Sequence, residues 1–237
     1  MTNDPKLLMT DLTPCPDPGR KDTFLRMYRK KAGSAKPDIR EMLTSQFTYI
    51  GAPVWITTLA VIFLAIWGSC TDRNVITGIA ALMPLVSGFA VFETFRSQMY
   101  TMTELEGVTL FSLKGAFFAK IVCIGSVHIL LILMLSFTIA PICPYDFFTT
   151  GVMITIPYLV SSVLSMEAER STFGRRNPLV CLGISALISG LVLTASVKSS
   201  CFTADHSEQQ YLLFLILTVL FLIEIKKTFQ WEEYLWK

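Results

Sequence analysis

The sequence predicts an all-helical polytopic membrane protein with six transmembrane helices, and three observations carry that expectation. First, 52% of the 237 residues are apolar and only 16% are charged, whereas a soluble domain carries about a quarter charged residues. That leaves too little polar surface to cover a water-soluble globule. Second, six apolar segments lie near 50–69, 75–94, 116–140, 147–166, 178–197 and 210–225. Crossing a hydrocarbon core ~30 Å thick takes roughly 20 such residues. Third, the connections between the segments alternate between basic and nearly uncharged.

The first region, residues 1–36, opens with "MTNDPKLLMTDLTPCPDPGRKD", which has prolines and acids but no apolar core ending in a cleavage site. It is expected to be a flexible cytoplasmic segment rather than a secretory signal. Lys21, Arg26, Arg29, Lys30, Lys31, Lys36 and Arg40 follow before the first apolar run. Such a cluster ahead of a span marks the cytoplasmic side and meets anionic lipid, so no nucleic-acid partner is expected. Ile39, Leu43, Phe47 and Ile50 then form an apolar stripe at helical spacing that leads into "PVWITTLAVIFLAIWG".

Residues 37–225 form the predicted membrane domain. The 95–120 connection, the 167–177 connection (Arg170, Arg175, Arg176) and the tail (Lys226, Lys227, Lys237) are basic. The other three connections together hold only Arg73 and Lys198. Basic loops stay in the cytoplasm, so both termini should lie there, in a plasma membrane. Cys70, Cys143 and Cys201 then fall on the outer side, where a disulfide can persist. Three cysteines permit one bridge, and their spacing does not choose between a bridge and three unpaired thiols. No spacing of Cys and His suggests a metal. After the sixth segment, residues 226–237 place Trp231, Tyr234 and Trp236 among charges, as expected of an interfacial helix.

The stretch "FRSQMYTMTELEGVTLFSLKGAFFAK", residues 95–120, interrupts the apolar pattern with spaced charges. Met99, Tyr100, Met102 and Leu105 give one face of a short amphipathic helix. Gly107 can end it, and Ser112 can cap the next helix. Arg96, Glu104-Leu105, Ser112 and Lys120 recur in a spacing that resembles the segment after span two in type-2 ABC transporter permeases. The Gly-Thr usual before the Glu is here Thr101-Met102, and the Pro usual before the Ser is replaced by Leu110-Phe111.

That resemblance implies six spans, an elbow helix before the first, and a cytoplasmic coupling helix between spans two and three. It implies that Arg96, Met102, Glu104, Leu105, Glu106 and Ser112 meet a partner ATPase, present in two copies and holding the ATP and Mg. It also implies a second permease, identical or homologous. In span five, Ser185 with Ser189 and Ala186 with Gly190 provide small residues at a spacing that lets membrane helices approach closely. In the family resembled, spans one and five line the subunit interface, so these four residues are the expected contact.

Motifs for catalysis are missing from the sequence. It has no HExxH, no GxSxG and no GxxxxGK[ST] phosphate loop, so no enzyme activity or cofactor is expected on this chain. Glu93 is expected to pair with Arg96, and Glu224 to sit beside Lys226 and Lys227 at the interface. His128, deeper in the third segment, is expected to be neutral and bonded to a backbone carbonyl rather than to relay protons. The function expected is the permease subunit of an ATP-driven exporter, moving a small or lipophilic cargo such as a drug, antimicrobial peptide or lipid. The alternative is a membrane regulator that tethers a soluble partner through the basic N-terminal region.

Overall fold

The computed structural model describes residues 22–23, 26–27, 39–71, 75–99, 113–142, 146–171, 174, 177, 179–198 and 207–235. The chain divides into two compact units, Met1–Ile39 and Arg40–Lys237. In the first, Asp22, Thr23, Arg26 and Met27 are helical. Among the described residues of the second, all regular structure is helical. The helices are α1 (Ile39–Tyr49), α2 (Ala52–Thr71), α3 (Val75–Met99), α4 (Leu113–Ile139), α5 (Phe147–Arg170), α6 (Val180–Lys198) and α7 (Ser207–Leu235).

Length and composition make three of these able to cross a membrane, over Val75–Arg96, Phe117–Ile139 and Phe147–Arg170. A fourth crossing is available from a broken pair: Leu43–Tyr49 meets Ala52–Gly68 at a bend of 79°. The stretch Val180–Ala195 is a shorter apolar helix. Helix α7 runs 29 residues without interruption, carrying the apolar sixth segment on into the tail as far as Leu235.

Helix α3 sits at the centre, packed most extensively on α5 and α6, while α5 also meets α7, α6 and α4. Helix α2 covers α3 and α4. Both central helices contain a proline, Pro84 in α3 and Pro157 in α5. A proline removes the N–H that would reach the carbonyl four residues back and bends the helix. Hydroxyls of neighbouring helices bond carbonyls near Pro84: Ser189 donates to the Ala81 carbonyl, and Ser161 to that of Pro84 at 3.1 Å.

The main core joins α2, α3, α4 and α5 through Val61, Met83, Val86, Leu135, Met153 and Ile154. Polar residues are inside as well, Ser87, Ser161, Ser162 and Ser165 among them. The outward faces are apolar: Ile56, Leu59, Phe63 and Trp67 on α2, and Ile129, Leu133 and Phe137 on α4, are exposed. Apolar surface on this scale is unfavourable in water and suits lipid. The fold is consistent with a membrane protein.

Candidate functional site

Charged side chains collect at one end of the bundle, where α3, α5 and α7 finish and α4 begins. The first cluster is built on Glu93, one turn from the end of the apolar part of α3. Its spacing from Arg96 places both on one helix face, and Arg96 Nη1 donates to Glu93 Oε1 at 3.3 Å and to Oε2 at 3.4 Å. Lys120 of α4 supplies a second cation, its Nζ 3.9 Å from Glu93 Oε1. Glu93 is 2% exposed, whereas Arg96 is 46% exposed. The carboxylate is thus desolvated and the arginine is not.

This cluster also touches the bend between α1 and α2. A Cβ added to Gly51 would lie 2.7 Å from Glu93 Oε2 and 2.8 Å from Arg96 Nη1. Glycine therefore lets the charged pair seat against the bend. Below it Ile50, Val54, Ala90, Cys123 and Ile124 form a small core, with Leu43 and Trp55 packed on it. Phe47 of α1 stacks edge-on against Trp55 at 5.1 Å. The Cys123 thiol donates to the Leu43 carbonyl at 3.7 Å. Helices α1, α2, α3 and α4 are tied together at one point.

The second cluster links α5 to α7. Arg170 Nη2 donates to both Glu167 and Glu224, and Lys227 Nζ reaches Glu224 Oε1 at 2.8 Å. Glu224 is buried within the bundle, and besides Lys227 on its own helix the cation that reaches it across the bundle is Arg170. A third carboxylate, Glu169, is 4% exposed, and its Oε1 has no hydrogen-bond partner among the described residues. An apolar patch containing Val91, Phe95, Phe117, Met166, Cys181, Phe221 and Ile225 lies between the two clusters and joins the ends of five helices.

The sequence-predicted residues fall in different places. The Glu93–Arg96 pair is present, and Lys120, named in the sequence only for its spacing, closes on Glu93 as well. His128 is bonded to the Tyr158 hydroxyl, 2.9 Å from its Nδ1, and not to a carbonyl. Of the candidate coupling residues only Arg96 is described, and Met102, Glu104, Leu105, Glu106 and Ser112 lie outside the described residues. On α6, Ser185 and Ser189 are buried, Ser189 bonded to α3, whereas Ala186 and Gly190 face outward. The side chain of Cys70, and Cys143 and Cys201 altogether, are outside the described residues. Cys123 and Cys181 are buried thiols outside any disulfide.

No group of three or more metal-ligating side chains comes together among the described residues. The two clusters hold charges in place between helices. Their chemistry is mechanical: buried ion pairs add little net stability but fix one geometry, and removing one partner is costly. Comparison with protein-family models, curated proteins and solved structures finds no match.

Proposed function

We propose that this chain is the six-span permease subunit of an ATP-driven exporter of the type-2 ABC kind, with helices α2 to α7 as the spans. In this reading α1 is the elbow helix, lying along the cytoplasmic membrane surface. Residues 96–112 hold the contact with a separate ATPase, which binds the ATP and Mg. Both termini are cytoplasmic, and the permease acts as a pair with two ATPase subunits. The cargo is small or lipophilic.

One observation supports the reading above others. Glu93, Arg96 and Lys120 stand on the two helices that flank the 100–112 segment, and they grip the α1–α2 bend. A push on that segment would be delivered at once to α1, α2, α3 and α4. A loop serving only as a connection has no need of such a junction. The resemblance of Arg96, Glu104-Leu105, Ser112 and Lys120 to the coupling segment of the family points the same way.

Affinity purification of the full chain from mild detergent tests the proposal. An ABC ATPase subunit should come down with it, and Glu104→Lys should reduce the yield of that ATPase at least about tenfold, roughly 1.4 kcal/mol of interface free energy. Expression and membrane insertion should be unchanged. Recovery of a soluble non-ATPase partner that is lost on deleting residues 1–36 would replace the proposal with the membrane-regulator reading.

A further inference from the structure

One face of α5 carries polar groups along the length of the helix. With 3.6 residues per turn, Thr150, Tyr158, Ser161, Ser162, Ser165 and Glu169 fall within an arc of about 120°. All are buried except Tyr158, which is half-buried. Most of the row is paired with neighbouring helices. Ser161 bonds the Pro84 carbonyl at 3.1 Å, Ser162 and Ser87 share a bond of 2.9 Å, and Ser165 reaches the Cys181 carbonyl at 3.5 Å.

Two atoms on or against this row have no hydrogen-bond partner among the described residues, Thr150 Oγ1 near the start of α5 and His128 Nε2 near its middle; Glu169 Oε1, near its end, also lacks one, although the Glu169 carboxyl group faces the Cys181 thiol. His128 is 1% exposed, and its other nitrogen is engaged by Tyr158. The tautomer does not remove the difficulty. If Nδ1 accepts from the tyrosine, Nε2 carries the proton and is an unmatched donor; if Nδ1 donates, Nε2 is an unmatched acceptor. Pro157 adds to the demand, because the Met153 carbonyl, four residues earlier, loses its helical N–H.

We propose that these atoms mark a file of water molecules held inside the bundle along α5. Buried polar atoms in folded proteins are matched by protein or by ordered water. Lipid cannot supply the missing bonds, so the interior must. Four of the six members, Thr150, Ser161, Ser162 and Ser165, are small hydroxyl side chains, and Ser136 of α4 brings another hydroxyl against the row at Gly151. The inference rests on α3, α4 and α5 being membrane spans, as in the proposed function. It adds to that function a surface on which α5 meets α3 and α4 partly through hydroxyls and water, and such contacts re-pair when a helix shifts.

Hydroxyl-radical footprinting of the full chain in lipid nanodiscs, with radicals generated by X-rays in water, tests the proposal. Ring labelling there requires water at the ring. Tyr158 is expected to label within about threefold of Tyr49, which is 73% exposed, and about tenfold faster than Phe63 and Phe137 on the lipid-facing surface. In His128→Phe the labelling of Tyr158 should fall at least about threefold, because the apolar ring removes a water-binding atom. Should that variant fail to fold, Thr150→Val, which keeps the side-chain size, should lower the labelling of Met153. A wild-type Tyr158 rate no higher than that of Phe63 and Phe137 would overturn the proposal. Labelling of Phe63 and Phe137 as fast as Tyr49 would overturn the membrane-span reading, and the proposal with it.

Discussion

Replacing Gly88 by Ala should force α3 away from α6. The added Cβ would lie 2.6 Å from Ser185 Cβ, closer still to Ser185 Oγ, and 3.5 Å from the Cys181 carbonyl oxygen. Carbon atoms pack best at about 3.5–4.0 Å, so the helices must part by about 1 Å. No rotamer relieves this, because Ser185 Cβ is fixed to its own backbone. Overpacking of this kind costs about 1–3 kcal/mol, and the better helix propensity of Ala returns up to about 1 kcal/mol. The net expectation is about 0.5–2 kcal/mol of destabilisation. Ser185→Gly alone loses a hydroxyl bonded to the Leu182 carbonyl at 2.9 Å and adds a helical glycine, for about 1 kcal/mol. In the double variant the glycine accommodates the new methyl, so the two changes should couple favourably by at least about 1 kcal/mol. Reversible unfolding in mixed micelles, followed by tryptophan fluorescence, measures all three variants. If the double variant costs the sum of the singles to within about 0.5 kcal/mol, then Gly88 and Ser185 do not face each other in the monomer.

Glu93→Gln should destabilise the bundle by about 1–3 kcal/mol, less than a fully buried pair would lose, because Arg96 can return to water. The same unfolding assay reads the cost, and pairing it with Lys120→Gln should show less than additive loss. Arg170→Gln, which leaves buried Glu224 without its partner from α5, should cost about 2–4 kcal/mol. Lys227→Gln should cost under about 1 kcal/mol, because that lysine is 52% exposed. Ile in place of both Ala186 and Gly190 should leave monomer stability within about 0.5 kcal/mol, since both are on the outward side. Under the proposed pairing through α6, sedimentation of the chain alone in detergent should show this double variant shifted from dimer to monomer, and a persistent dimer would place the interface elsewhere.

The helices were legible in the sequence because lipid-length apolar runs leave few alternatives. Their ends were less so: α3 continues to Met99, α5 to Arg170 and α7 to Leu235, each past the apolar run that announces it. Backbone hydrogen bonding continues a helix into water where hydropathy has already changed. The Glu93–Arg96 pair could be read because i and i+3 share a face of one helix. Lys120 with Glu93 and Arg170 with Glu224 could not, since nothing local says which helix ends meet. The small residues of α6 show the deeper obstacle. Ser185–Ser189 and Ala186–Gly190 have the same spacing, and in a membrane both the core and the lipid accept such faces. Their positions diverge because Gly88 opens a notch for Ser185 and Ser189 donates to the Ala81 carbonyl of α3.

The continuity of α7 has a mechanical consequence. Past Ile225 the helix runs on to Leu235, a projection of about 15 Å at 1.5 Å per residue. Thr228 is buried within that stretch, so its first turn is clamped to the bundle rather than loose. A body attached after Leu235 would therefore behave as though bolted to a shaft, not hung on a string. Any roll or tilt of α7 would appear at its far end as a sweep of that body, enlarged by the length of the arm. A rigidly coupled fluorophore there would report the motion by polarisation, and the same stiffness would let a docked protein turn the helix from outside.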